Sequence, residues 1–363
     1  MTLPHLWALG TLAAAGCSDQ TPVNDTVPRE PQPAKILQCA RGSSQEWPLD
    51  TPPPVSASVV PDGSGPAVFA LSKLYLGDTT YDDVVDRANA WKCFGYDLDG
   101  MVSTTTSAGA CRPLHGASRR LFADGLNGID NGFGRGVLPT LLGLQAALAS
   151  ANDEALAKGH FTVLFDLEDL GKGPSYFPLG ARAYRGASLG AAPRFDGTDA
   201  WPIDSGSLTT PDDVTSAKVT FAYSHTTDDV WVAYGQGDLD IPLEVWGIPF
   251  ALTVHDPIVS MRLAEDHQSA TLGVIAGTLS TSDLMTTLRR VAGVLAPEDL
   301  CSGDVIDGII EQLEEASDIL LDHSQDPTRP CDAISIGLGF EARRVELGPI
   351  VTSQPLPDPC AQN

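Results

Sequence analysis

From residue 160 to about residue 350, apolar side chains recur at every second position of the chain. In HFTVLFDLEDL, which starts at residue 160, Phe161, Val163 and Phe165 alternate with other residues, and turn residues interrupt similar runs every eight to twelve positions. A period of two places alternate side chains on opposite faces of a strand, and this spacing is typical of antiparallel sheets. The pattern predicts a β-rich α+β fold around an antiparallel, β-sandwich-like sheet, with short strands also between 171 and 213.

Several helices are predicted where apolar residues recur at three- and four-residue spacing. Such spacing is found in residues 81–91, 138–159, 280–295 and 303–323. In the last segment the acidic residues, among them Asp318, fall on the face opposite the apolar stripe. We expect that acidic face to be solvated.

Composition excludes some classes of partner. The chain has 363 residues, of which 42% are hydrophobic and 19% charged, which is enough apolar material for a large core. The 22 Lys and Arg stand against 47 Asp and Glu, and the formal net charge is −25. This charge repels phosphates, so we expect no nucleic-acid partner and no electrostatic contact with anionic lipid.

The first twenty residues, MTLPHLWALGTLAAAGCSDQ, contain an apolar run over 6–15 that ends in Ala14-Ala15-Gly16-Cys17. This run is too short for a transmembrane helix. It resembles a bacterial lipoprotein signal peptide with its lipobox, which implies cleavage after residue 16 and diacylation of Cys17. The positively charged start typical of that class is missing, because only His5 precedes the run, and this puts the start at Met1 in doubt.

The resemblance also implies a cellular location and a set of segment boundaries along the chain. Residues 1–16 are expected to be the signal peptide, and 17–35, polar and rich in proline, a flexible tether. The bilayer would be contacted only through the acyl chains. Ser18 after the lipidated cysteine is typical of sorting to the outer membrane of the bacterial cell envelope. We expect a helical, Asp/Gly-rich loop portion over 36–159 and a β-rich domain with two helices over 160–363.

Six cysteines remain once Cys17 is assigned to lipid. An even number in an exported chain predicts disulfides, with fifteen possible pairings. Proximity along the chain favours Cys93–Cys111 and Cys301–Cys331, with Cys39–Cys360 joining the ends.

Two Asp/Asn-rich stretches, YDLDG at 96–100 and DGLNGIDNGFGRG at 124–136, are the candidate metal site. Calcium takes six to eight oxygen ligands from flexible loops, and alternating Asp and Asn with glycine at the bends supply them. The fragments DLDG and NGIDN resemble pieces of thrombospondin type-three calcium repeats. The same residues are also those that tight turns favour, so a set of turns without metal stays open. The candidate calcium ligands are Asp97, Asp99, Asp124, Asn127, Asp130 and Asn131.

No catalytic residue can be assigned from the sequence. Gly186–Gly190 matches the G-x-S-x-G pattern around Ser188, but no helix pattern follows it, and Pro193 comes soon after. Asp166 and Glu168 alternate on one predicted strand, as paired glycosidase carboxylates do. A carbohydrate groove could use the aromatic residues of this half, namely Tyr176, Tyr184, Trp201, Trp231, Tyr234 and Trp246.

With its GYDLDG and DGxxGIDN stretches, the chain resembles the uncharacterised, disulfide-bearing lipoproteins of bacterial proteomes. That resemblance implies a location and no activity. We expect a non-enzymatic, lipid-anchored protein whose β-rich domain binds an unknown protein or carbohydrate ligand, with calcium ordering its loops. The alternative is a hydrolase, a glycosidase or an esterase, that acts on the outer side of the membrane.

Overall fold

The structure is a computed structural model that describes residues 39, 50–56, 59–61, 65–116, 122–354 and 357–362. The predicted signal peptide, the lipidation site at Cys17 and the tether lie outside these residues. Within them the chain forms ten strands and five α-helices. The strands are β1 (Ala67–Tyr75), β2 (Thr162–Leu167), β3 (Tyr176–Gly186), β4 (Ala200–Asp204), β5 (Val219–Thr227), β6 (Val230–Tyr234), β7 (Leu239–Val245), β8 (Ile248–Leu263), β9 (Ser269–Ser280) and β10 (Ala333–Val351). The helices are α1 (Leu138–Leu144), α2 (Leu148–Ala157), α3 (Thr281–Leu295), α4 (Pro297–Leu300) and α5 (Asp304–Glu314).

Eight of the strands form a closed ring of antiparallel pairings. The order is β1–β2–β3–β5–β6–β8–β9–β10, and β10 pairs with β1 to complete the ring. β4 lies beside β10 in parallel and touches β3, while β7 forms a hairpin with the first half of β8. The β-rich α+β class is confirmed, and the sheet is mixed because of the one β4–β10 pair.

A core of aromatic side chains holds facing strands of the ring together. The ring of Phe165 lies 5.5 Å from that of Trp231 and 5.7 Å from that of Phe340, and Phe221 lies 5.7 Å from Trp231. Burial of each ring removes a large apolar area from water. The alternating residues Phe161, Val163 and Phe165 all belong to this core, although β2 is buried on both faces. Trp231 keeps its indole N–H satisfied by donating to Ser224 Oγ at 3.0 Å.

The N-terminal half contributes more to the sheet than its sequence pattern suggested. β1 falls inside the stretch expected to be helices and loops, and it pairs with both β2 and β10. Residues Gln38–Asn363 form one compact unit, so no structural division falls at 159/160. None of the helices in the described part combines the length and apolar character needed to cross a bilayer.

All six cysteines expected to pair do form disulfides, but the predicted pairing was wrong. The bridges are Cys39–Cys93, Cys111–Cys331 and Cys301–Cys360, with Cα–Cα distances of 5.6, 5.2 and 5.1 Å. Proximity in sequence failed because the folded chain brings distant segments together: Cys111 and Cys331 are 220 residues apart.

Two helix predictions need correction. Residues 81–91 form turns, with only a short 3-10 turn at Ala90–Cys93. The helix predicted over 303–323 ends at Glu314. The following segment leaves the helix because Ile319 bonds to Ala333 of β10 in both directions and Ser317 Oγ bonds to Thr281 Oγ1 at 2.7 Å.

Candidate functional site

The Asp/Asn-rich stretch at 96–100, called the first acidic stretch below, lies directly against the sheet, and that at 124–136 is the second acidic stretch. Phe94 and its neighbours pack on β10 at Gly337, where a Cβ atom would lie only 2.1 Å from Phe94 O, so this close approach requires glycine. Tyr96 is buried and its hydroxyl bonds to Ser260 of β8. The residues that follow, Asp97 and Asp99, are therefore held next to the sheet by their buried neighbours.

The second acidic stretch is bound to the first through Asp130. The backbone N–H of Asp130 donates to Tyr96 O at 2.9 Å, and Leu98 N donates to Asp130 Oδ2 at 2.7 Å. The Asp130 side chain is buried, with 4% of its surface exposed. Its carboxylate thus lies beneath the turn formed by 97–100.

Three of the six predicted ligands meet in one cluster. Asp97, Asp99 and Asp130 each place one carboxylate oxygen within 4.8 Å of the other two. The 97–100 turn is tightened by Gly100 N donating to Asp97 Oδ1 and Met101 N donating to Asp99 Oδ1, both at 2.8 Å. We call Asp97, Asp99 and Asp130 the acidic cluster.

Asp124, another predicted ligand, lies close enough to the acidic cluster for its charge to repel those of Asp99 and Asp130. Its N–H donates to Ser103 O at 3.1 Å, and Ser103 N donates back to the Asp124 carboxylate. Ser103 is 6% exposed, and its hydroxyl oxygen has no hydrogen-bond partner among the described residues. A buried hydroxyl without a partner costs free energy, which a bound water or ion would remove.

The sequence did not predict two further members of the site, Asp318 and Gln325. Asp318 follows α5, and its carboxylate accepts bonds from Ser335 N at 2.8 Å and Ser335 Oγ at 2.7 Å. Gln325 donates to Asp99 Oδ2 at 2.8 Å and to Asp318 O at 3.0 Å, and accepts from Cys111 N at 2.8 Å. Asp318 was expected on a solvated helix face, and because the helix ends early it turns inward instead.

The carboxylates destabilise one another's charged forms. Burial raises the pKa of Asp130 well above its ordinary value, and repulsion from Asp99, Asp124 and Asp318 adds to the rise. Burial also raises the pKa of Asp124 to about 8 and that of Asp318 to about 6. The guanidinium of Arg135 offsets part of this at the latter two residues. Burial and mutual repulsion therefore both favour the protonated forms of these carboxyl groups.

Asn131 has a structural role in the fold. Its Nδ2 lies within hydrogen-bond distance of Trp91 O (3.0 Å), Phe94 O (3.1 Å) and Gly337 O (2.8 Å), and Gly134 N donates to its Oδ1 at 2.8 Å. These contacts tie both acidic stretches to β10, so we remove Asn131 from the ligand set. Asn127 is exposed with φ of 57°, a turn conformation that Asn tolerates, and its assignment as a ligand stays a prediction.

The two glycosidase candidates, Asp166 and Glu168, both lie next to Arg182. Asp166 is 4% exposed, and Arg182 lies 3.8 Å from it and also pairs with Glu168. Burial raises the pKa of Asp166, while Arg182 lowers it. Four of the six aromatic residues proposed for a groove are buried, and only Tyr234 and Trp246 are exposed.

Ser188 lies on an exposed loop after β3, and no helix follows it. It lines a cleft of about 780 Å³ together with His160 and Glu244. His160 Nδ1 lies 3.1 Å from Glu244 Oε1. The strand–turn–helix context of a nucleophile elbow is therefore incomplete at this position.

Comparison with protein-family models, curated proteins and solved structures finds no match. The acidic cluster and the cleft are the two places where the geometry of the described residues is specific.

Proposed function

We propose that this chain is a non-enzymatic, lipid-anchored protein of the bacterial cell envelope whose β-rich unit binds a ligand and whose loops around residues 94–131 are ordered by calcium. The observation that carries the calcium assignment is the meeting of Asp97, Asp99 and Asp130 within 4.8 Å. Asp97 and Asp130 come from separate loops, so a shared cation would hold both stretches in place.

The chemistry of the acidic cluster favours a hard divalent cation. Its donors are carboxylate oxygens, which suit Ca²⁺ and Mg²⁺ rather than softer metals. Ca²⁺ is favoured over Mg²⁺ because the donors lie on turns of irregular geometry, which Ca²⁺ accepts and Mg²⁺ does not. A cation would also relieve the repulsion that adds to the raised pKa of Asp130. The buried Ser103 hydroxyl, next to Asp124, has no hydrogen-bond partner among the described residues and could bind a water of such a cation.

Thermal unfolding of a soluble chain beginning at Ser18, first in EDTA and then in millimolar CaCl₂, tests this proposal. Calcium at a hundred times its dissociation constant adds about 2.7 kcal/mol to the folded state. Over the unit Gln38–Asn363, an unfolding entropy near 2.1 cal/mol/K per residue converts this into a rise of about 4 °C in Tm.

Variants separate a specific site from general charge screening. Asp97→Asn keeps the size of the side chain and removes a ligand charge, so the calcium-induced rise should largely disappear. Asp82→Asn, an exposed carboxylate outside the acidic cluster, should keep the full rise. A rise that persists in Asp97→Asn, or no rise in the wild-type chain, contradicts the calcium assignment and leaves the stretch as turns.

A second candidate function, ester hydrolysis, is favoured by one observation. Ser188, His160 and Glu244 line the same cleft, and the His160–Glu244 contact of 3.1 Å is the kind that orients a catalytic base. A fluorophosphonate probe labels activated serines. Labelling that is lost in Ser188→Ala would support the hydrolase, and the absence of labelling in the folded wild-type chain would reject it.

A further inference from the structure

The cleft lined by Ser188 is separate from the acidic cluster, because no residue that lines it belongs to that cluster. It is enclosed by the β7–β8 hairpin, by the ends of β3 and β4, by α3 and by the residues that follow β10. Its volume of about 780 Å³ lies within the range of small-molecule sites.

The hairpin provides one wall of the cleft. On β7, Leu239, Ile241 and Leu243 are buried in the core, whereas Asp240 and Glu244 on the alternate face are half-buried at the cleft. Their register partners on β8 continue the same wall. The full set on this face is Asp240, Pro242 and Glu244 on β7 with Thr253, Ala251 and Pro249 on β8.

The opposite wall presents a guanidinium that is already paired. Arg185 of β3 contacts Asp204 Oδ2 through Nε at 2.9 Å and Nη2 at 2.7 Å, and its Nη1 lies 3.6 Å from Asp240 Oδ2. Burial alone would raise the pKa of Asp204, but hydrogen bonds from Ser353 and Gly206 and the charge of Arg185 lower it overall. Asp204 is thus held ionised against Arg185.

The other charged groups of the cleft each have a polar partner. Glu244 contacts His160 at 3.1 Å, and Arg290 Nε contacts Asp358 Oδ2 at 3.2 Å. The Asp240 carboxylate accepts a hydrogen bond from Thr253 Oγ1 at 2.8 Å. An anion would be repelled by these carboxylates and by the chain's net charge of −25. A cation would have to displace the partners that the carboxylates already have.

The cleft presents a fixed array of hydrogen-bond donors and acceptors, and its charged groups already have polar partners. Hydroxyl side chains add to this array, and Pro242, Pro249 and Phe250 give it apolar surface. The hydroxyl residues are Ser188, Ser205, Thr253, Thr287, Thr352 and Ser353. A ligand with many hydroxyl groups and apolar C–H faces, but no charge, matches both properties.

We propose that the cleft between the β7–β8 hairpin and the ends of β3 and β4 binds a neutral oligosaccharide. This inference names the ligand of the binding role proposed above, and it rests on that role but not on calcium. The paired side chains present donors and acceptors in fixed positions, so little side-chain entropy is lost on binding.

Isothermal titration calorimetry of the soluble chain against neutral hexasaccharides tests the inference. The panel contains the hexamers of α-1,4-glucose, β-1,4-glucose, mannose, xylose and N-acetylglucosamine, each with and without calcium. Hexagalacturonate serves as the anionic comparison and glucosamine hexamer as the cationic one. We expect at least one neutral hexamer to bind without being cleaved and both charged hexamers to bind at least tenfold more weakly.

Two variants locate the binding. Ala251→Trp places a large ring on the hairpin wall and should abolish binding while the melting temperature stays close to that of the wild type. Thr253→Val removes one hydroxyl and should weaken binding about five- to tenfold, the worth of a neutral hydrogen bond. Thr271→Val on β9 is the matched control, because Thr271 is exposed outside the cleft and should leave affinity unchanged.

The outcomes separate this inference from the proposed function. If no neutral hexamer binds the folded chain, or if binding survives Ala251→Trp, the inference is overturned and the calcium assignment is untouched. Preference for the glucosamine hexamer overturns it in favour of a cationic ligand of Asp240 and Glu244. Cleavage of a neutral hexamer would support the ligand class and reject the non-enzymatic role.

Discussion

Exchanging Asn131 for Asp distinguishes a calcium ligand from a structural amide. If Asn131 supplied oxygen to a cation, Asn131→Asp would add a charged ligand and tighten calcium binding. The structure predicts the opposite, because Nδ2 lies near three backbone carbonyl oxygens and Asn131 is 2% exposed. A carboxylate in this position would face those carbonyls without a proton to donate.

The magnitude follows from the bonds that each variant removes. An amide N–H₂ has two protons to share among the three carbonyls, and Oδ1 accepts one bond from Gly134 N. Asn131→Ala therefore loses three hydrogen bonds, or about 3 kcal/mol at about 1 kcal/mol each. Asn131→Asp can keep the bond from Gly134 N but loses those that Nδ2 donates and buries a charge against the carbonyl oxygens, and it should cost about 5 kcal/mol.

Urea unfolding in EDTA, followed by tryptophan fluorescence, measures these losses without any contribution from metal. The midpoints should fall in the order wild type, Asn131→Ala, Asn131→Asp, with unchanged slopes. Asn127→Gly is the control, since glycine tolerates the φ of 57° there, and it should stay within about 0.5 kcal/mol of wild type. Should Asn131→Asp keep the wild-type midpoint and bind calcium more tightly, the structural assignment of Asn131 is refuted.

Three further predictions concern pH, disulfides and lipid. In EDTA, stability should fall as pH rises from about 4 to about 8. The folded pKa values of Asp318, about 6, and Asp124, about 8, exceed the ordinary value of 3.8, so the stability that each contributes below pH 4 is lost as pH rises to its folded pKa. Millimolar calcium should flatten this dependence, and equal slopes with and without calcium would contradict it. Replacing Cys111 and Cys331 by Ser should cost about 5 kcal/mol against about 4 kcal/mol for Cys39 and Cys93, because the closed loops span 220 and 54 residues; urea unfolding measures both. Alkyne-palmitate should label the full chain in bacteria and fail to label Cys17→Ser, whereas labelling of both would reject the lipobox.

The sequence predicted those elements in which one local pattern decides the structure. Alternation from Phe161 onward indicated strands because Phe161, Val163 and Phe165 all face one core while Thr162 and Asp166 lie between and beyond them. Ser280 caps α3 by accepting a bond from Asp283 N, as its position suggests. β1 was missed because it begins with the continuous apolar run AVFAL, and such a run has no period that separates strand from helix. The closing pairing of β1 with β10 joins residues more than 260 positions apart, which no local pattern reports.

The same distinction between local patterns and long-range contacts applies to the residues of the candidate site. Asp97, Asp99 and Asp130 were found because calcium ligands and tight turns share a composition that is visible in a short window. Asp318 could not be found, since its inward position depends on α5 ending at Glu314, and that end is decided by pairing with β10 rather than by a glycine or proline. The disulfide pairing failed for the same physical reason.

Gln325 connects Asp99 to the disulfide between Cys111 and Cys331. Gln325 contacts Asp99, the carbonyl of Asp318 and the N–H of Cys111, and Cys111 is bonded to Cys331 just before β10. A cation at Asp99 would therefore stabilise a junction that the disulfide already constrains. Because the disulfide shortens the unfolded chain while a cation binds only the folded state, the two effects should add in free energy. Calcium should then raise the unfolding free energy of the Cys111→Ser, Cys331→Ser chain by the same amount as that of the wild type. A calcium effect that vanishes with the disulfide would instead show that the bridge is needed to assemble the acidic cluster.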